Sequence, residues 1–419
     1  MIPPRMPLET VRRLTPSILA IVTVGLFAVI SQAGHSPAVS PRLAATALVT
    51  QQTASTASHT LGEIKPLLPK VHVIPGESSA PEKPLGPEAA GSTETREVEG
   101  TATPAQPAAP AAAEAAPFRF FSPSSFWNEP VPANAPLASN SRGLVEAFRG
   151  AIPRDEAQKA PPWINTTSES IPVYTVGNIP TVKVTLEGAN APALQSSWDA
   201  VPLPATAQPA AGTDKVLVVW QPSTDRLWDF WRLQNTATGW QASWGGAMEN
   251  VSSNPGVYGP EAWPGGKPGW GDSASSLEPV GGMISLEDLQ RGQVNHALRM
   301  AIPEVRAGVY ASPAQRSDGR STNPLSLPEG AHLRLEPKLN LAALHLPRLT
   351  LMLAEAAQRY GIFVTDYAPN ISFYAQDPTP TGTNPYAGPS GYFEGKSPRE
   401  LLASFPWSHL QVLSMSLHG

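Results

Sequence analysis

KVLVVWQPSTDRLWDFWRLQNTATGWQASWGG, residues 215–246, is the stretch on which the reading of the fold turns. Three runs rich in β-branched and aromatic side chains, KVLVVWQ (215–221), RLWDFWRLQ (226–234) and WQASWGG (240–246), are separated by the turn-forming PSTD and NTATG. That is the pattern of an antiparallel meander. Alternate residues of a strand face opposite ways, so Leu227, Asp229, Trp231 and Leu233 share one face and Trp228, Phe230, Arg232 and Gln234 the other. Neither face reads as plain core or plain surface. Pairing of adjacent strands would bring Trp240 and Trp244 beside Asp229.

Outward from the meander, IPVYTV (171–176), VKVTL (182–186), AHLRL (331–335), IFVTD (362–366) and ISFYA (371–375) also read as strands. Ser285 with Asp288 forms a capping-box start for a short helix that runs to Gln290 before Gly292. The clearest helix is PRLTLMLAEAAQRY (347–360), with Pro347 in its first turn and Gly361 ending it. QVNHALRMAI (293–302) fits helix or strand equally. FRFFSPSSFWNEPVPANAPLASNS (118–141) reads as an extended strap. Residues 250–282 hold eight Gly and five Pro, the composition of a long lid or binding loop, and Trp263 and Trp270 favour its being ordered. The expected fold class is mainly β with a few helices, on an antiparallel β-sandwich or jelly-roll-like core.

Composition divides the chain of 419 residues. Every Phe, Trp and Tyr except Phe27 lies in 118–419, so this part alone has the large side chains needed to offset the entropy of ordering. It is expected to be one globular domain. Residues 34–117 are rich in Ala and Pro and read as a disordered linker. Residues 1–33 place Arg5, Arg12 and Arg13 before the uncharged run ILAIVTVGLFAVI (18–30), the pattern of a signal peptide or N-terminal membrane anchor. Both readings put the domain outside the cytoplasm, secreted or tethered, with membrane contact only through that segment. With no cysteine, the domain rests on its core alone, and thiolate metal sites and thiol nucleophiles are excluded. Within 118–419, 21 Lys and Arg stand against 25 Asp and Glu, without a basic run, which argues against nucleic acid as a partner.

Asp229 is the sharpest candidate for chemistry, and two readings stand side by side. A carboxylate buried in a tryptophan-rich sheet needs a partner, and an arginine would make it structural. Alternatively it lies on the floor of an aromatic-walled groove, where partial desolvation raises its pKa toward the range useful for acid–base work. Such a groove suits sugars, whose C–H faces pack on rings while polar side chains bond their hydroxyls. The substrate-binding candidates are Trp228, Trp231, Arg232, Trp240, Trp244, Trp270 and Tyr310. A glycosidase needs a second carboxylate, for which Glu261, Asp272, Asp318 and Asp366 are available. A polysaccharide lyase needs a group that neutralises a uronate and a proton carrier, roles open to Asn295, His296, Tyr310 and Arg316. The plainer reading of His296, in VNHALRM, is a satisfied core histidine. The catalytic candidates are thus Asp229, His296, Arg316, Asp318 and Asp366.

Other chemistries lack their signatures. His296, His332, His345, His409 and His418 show no HxH or HExxH spacing, so no metal site and no cofactor is expected. Gly265-Gly266-Lys267 is followed by Pro268 and does not make a phosphate loop, and GxSxG is absent. GDSA (271–274) matches the nucleophile motif of GDS-type esterases but lacks the preceding apolar strand.

The runs HALRM, PEGAHLRL and QRYG followed by IFVTD resemble an uncharacterised family of exported bacterial proteins, over about 220–375. The resemblance implies that the long loop, the His296 segment and the Tyr360-Gly361 helix end belong to one module, and it implies no catalytic residue. The functional expectation is an exported protein that binds a polysaccharide or cell-wall glycan and cleaves its glycosidic bonds, or a non-catalytic wall or adhesion module.

Overall fold

A computed structural model describes residues 119–157 and 159–419. The expected export segment and linker lie outside the described residues. In chain order the elements are α1 (Ser141–Ala157), β1 (Trp163–Asn165), β2 (Val173–Thr175), β3 (Val184–Leu186), α2 (Pro192–Ser197), β4 (Leu217–Gln221) and β5 (Arg226–Trp231). There follow β6 (Gln234–Thr236), β7 (Gly239–Ala242), β8 (Trp244–Glu249), α3 (Leu286–Arg291), β9 (Leu298–Ile302), β10 (Tyr310–Ala311) and β11 (His332–Leu335). Last come α4 (Arg348–Arg359), β12 (Ile362–Tyr367), β13 (Ser372–Tyr374), α5 (Pro398–Ala403), β14 (Leu410–Val412) and β15 (Leu417–His418). The described chain is therefore mainly sheet with a few helices, none of them long and apolar enough to cross a membrane.

The strands form sheets ordered β2-β4-β5-β8, β3-β7-β6, β1-β13-β9-β12-β11-β14 and β10-β15, with no closed barrel. Most strand pairs are antiparallel, as expected, but the sheets are mixed: the pairs β1/β13, β9/β12, β2/β4 and β3/β7 run parallel. Parallel pairs need long connections: α4 lies within the one from β9 to β12, and α2 within the one from β2 to β4. Two apolar clusters follow these sheets. One packs α1, α4 and α5 on the six-stranded sheet, and the other gathers the four-stranded sheet with the strap and the long loop.

The meander forms in part. β4 and β5 pair antiparallel, Val218 opposite Asp229, as the sequence predicts. The third strand on β5 is β8, which places Trp244 opposite Trp231. Trp240 instead joins a separate sheet, opposite Asn235 and Val184. The cause is Arg232, whose left-handed φ of 58° turns the chain out of the first sheet. Its N–H donates to the Asp214 carbonyl at 2.6 Å and that of Leu233 to Lys215 at 3.1 Å.

The helix readings hold closely. Ser285 caps α3 with a reciprocal Asp288 bond and left-handed Gly292 ends it. Helix α4 buries Leu349, Met352, Leu353, Ala356 and Ala357 along one stripe, and Gly361 follows at φ 87°. The ambiguous 293–302 run resolves as β9, enclosed between β12 and β13. The strap has no helix or strand from Arg119 to Asn140 and is fixed by fully buried Trp127, whose ring meets Phe363 of β12 at 5.3 Å.

Candidate functional site

Strand β5 lies between β4 and β8, and all its residues from Leu227 to Trp231 are buried. The open trough expected over the meander is not formed. Trp228, Trp231, Trp240 and Trp270 are between 3% and 8% exposed. Two of them have their polar ends satisfied as core indoles should be: Trp228 Nε1 donates to the Ser197 carbonyl at 3.0 Å and Trp231 Nε1 to Asp214 Oδ1 at 2.9 Å. Trp244, half-buried, donates to the Gly269 carbonyl at 3.1 Å. Exposed Arg232 lies over the Trp231 ring at 5.4 Å, and Tyr310 stacks on His418 at 5.5 Å. These residues support packing, and they do not line a common groove.

Asp229 is fully buried, yet its partner is not an arginine. Tyr258 donates to Oδ1 at 2.7 Å and the Asp272 backbone N–H to Oδ2 at 2.5 Å. The same phenol touches Glu278 Oε2. Burial pushes the Asp229 carboxyl up to about 6, against the lowering effect of these bonds. Burial, then the Asp229 charge, raises Asp272 and Glu278 well above the usual carboxylate range. The long loop thus supplies Tyr258, Asp272 and Glu278 to a carboxyl network rather than acting as a lid. Gly246 of β8 permits it, because a Cβ there would stand 2.6 Å from Asp229 Oδ1.

Three further candidates lie alongside. Arg316 donates from Nη2 to the Gly271 and Ser273 carbonyls at 2.8 and 2.7 Å, and packs over Trp244 at 5.9 Å. Its strongest charge interactions are with Glu329 and Asp366, then Asp272 and Asp229, and burial lowers its pKa. Asp318, Glu329 and Asp366 bring carboxylate oxygens within 4.8 Å of one another. The fold therefore gathers Asp229, Arg316, Asp318 and Asp366 around one region, and leaves His296 elsewhere. Tyr258, Glu278 and Glu329 escaped sequence reasoning because no motif marks them. The Gly- and Pro-rich composition of their surroundings was the only signal.

His296 faces Asp288 Oδ2 at 3.1 Å through Nε2 and the Ala297 carbonyl at 2.9 Å through Nδ1. Both partners are acceptors, so the ring serves best doubly protonated. Burial works against that charge, but the Asp288 carboxylate and the two hydrogen bonds outweigh it and raise the pKa. With both nitrogens engaged, His296 fits the plainer reading of a satisfied buried histidine, here latching α3.

Beside that latch opens a cleft of about 750 Å³ between the strap and α3. Arg119 and Phe120 of the strap, Asp288 and Gln290 of α3, and Trp220, Gln376 and His296 are among the residues that line it. Phe120 meets the Trp220 ring edge-on at 5.5 Å. Arg119 Nε is buried without a hydrogen-bond acceptor. The volume falls in the usual range for ligand sites, which combine apolar walls with a few converging polar groups. No family model, curated protein or solved structure matches the chain.

Proposed function

We propose that this is an exported glycan-binding protein whose ligand occupies the cleft between the strap and α3. The observation that carries the reading is the cleft itself, about 750 Å³ with Phe120 and Trp220 in its wall and Arg119, Gln290 and Gln376 at hand. An aromatic wall takes the C–H faces of a sugar ring, while amide and guanidinium groups bond its hydroxyls. Arg5, Arg12 and Arg13 and the uncharged run that follows them at 18–30 support export. As scaffold we infer a sandwich-like stacking of the four- and six-stranded sheets. Phe363 of the larger sheet, which shares an apolar cluster with the smaller, supports it.

Bond cleavage is the second reading, favoured by Arg316, whose charge partners include Asp366 and Asp229, and by Asp318 beside Asp366. It is the weaker one, because Asp229 has no exposure and both its oxygens are engaged, so it cannot touch a substrate in this state.

A glycan array probed with the full chain and with Phe120→Ala and Arg119→Ala tests the proposal. Retention of one glycan class by the native chain, weakened about ten-fold in either variant, supports it, since a 1.4 kcal/mol loss is tenfold in affinity. Absence of retention, or retention that neither variant weakens, contradicts it. Shortening of the retained glycan would select the second reading.

A further inference from the structure

We propose that Asp318, Glu329 and Asp366 form a binding site for a hard divalent cation, calcium by the number of carboxylate ligands. The three come from separate parts of the chain. Asp318 lies in the loop between β10 and β11, Glu329 just before β11, and Asp366 on β12. The β9/β12 register slips between Val364 and Asp366, so a bulge at Thr365 aims the Asp366 side chain. Carboxylate oxygens of all three lie within 4.8 Å of one another.

Spacing alone would be an acidic cluster, and Glu329 adds the deciding observation. It is fully buried. Its Oε2 accepts the Asp318 N–H at 3.3 Å, whereas its Oε1 receives no hydrogen bond. A buried carboxylate oxygen left without a donor is costly unless a proton or a cation meets it. Arg316 is the nearest guanidinium in charge terms, but its Nη2 is turned toward the Gly271 and Ser273 carbonyls.

Oxygen ligands and no nitrogen or sulfur select a hard cation. Magnesium keeps several waters and is usually held by only one or two carboxylates, whereas calcium takes many protein oxygens, so three converging carboxylates favour calcium. The site does not depend on the cleft and survives if glycan binding fails.

The test is calorimetric titration of the chelator-treated full chain with calcium and with magnesium, followed by thermal unfolding. The native chain is expected to bind one calcium and to unfold at a higher temperature with it. Asp318→Asn and Glu329→Gln should each weaken calcium at least about ten-fold, while the surface variant Glu304→Gln should not. If Glu329→Gln fails to fold, the half-buried Asp318→Asn decides. Absence of calcium binding, preference for magnesium, or undiminished binding by Asp318→Asn overturns the proposal.

Discussion

The phenol of Tyr258 stands between two carboxyl groups, donating to Asp229 Oδ1 at 2.7 Å while in contact with Glu278 Oε2. A phenol has one hydrogen, so satisfying both contacts requires a second hydrogen from Glu278. The raised pKa of Glu278 provides it. Tyr258→Phe keeps the buried ring and removes the bridge, leaving the two carboxyls facing one another. The variant should lose about 2 kcal/mol in urea unfolding at neutral pH. A loss below about half that would mean that the network does not depend on the phenol.

Gly246 is the second test of the network. An alanine Cβ would meet the Tyr258 ring and stand 2.6 Å from Asp229 Oδ1, with no flexible side chain able to move away. Gly246→Ala should destabilise the domain by about 3 kcal/mol, the upper part of the range for overpacking. Unchanged denaturant stability would show that β8 and the long loop do not hold Asp229 as described.

Asp229 and His332 should make stability depend on pH in opposite directions. Asp229, raised to about 6, keeps its proton in the folded state after the unfolded chain has lost it. Its contribution, about 3 kcal/mol, is complete below the unfolded value near 4 and is lost as pH rises through 6. His332, lowered to about 4 by burial, resists protonation. Its contribution is complete above about 6.5 and is lost as pH falls toward 4. Thermal unfolding across pH 4–7 of Asp229→Asn and His332→Gln separates them. The first should remove a fall of stability with rising pH, and the second a fall with decreasing pH. Parallel curves for native and variant chains would contradict the assignment.

The His296–Asp288 latch has the opposite sign to His332. The raised pKa of His296 means a contribution complete below about 6.5 and lost as pH rises through the folded value. His296→Gln should cost about 1–2 kcal/mol in mild acid, and the gap to the native chain should close in alkali. A gap that does not change with pH would mean that the histidine is neutral there.

The sequence carried the local signals well. Ser285, Asp288 and Gly292 mark α3, and Pro347 and Gly361 bracket α4, because caps act within a few residues. The strands at 217–221 and 226–231 were legible from alternation and turn residues. What failed was non-local. A single left-handed residue, Arg232, sends Trp240 to another sheet. Helix α1 has Pro153 inside it and was not anticipated, and the parallel pairs follow from connections that periodicity does not encode. Asp229 was found as a carboxylate needing company, but its company, Tyr258 and Glu278, comes from a loop with no pattern. The cleft likewise joins Arg119 and Phe120 to Gln290 and Gln376, residues far apart in the chain.

The location of ligand binding is open to one direct measurement, amide hydrogen exchange of the full chain with and without the glycan it retains. Slowed exchange in the strap around Phe120 and in α3, with β5 and β8 unchanged, is the predicted result. Protection confined to β5 and β8, or no protection anywhere, would contradict the assignment of the cleft.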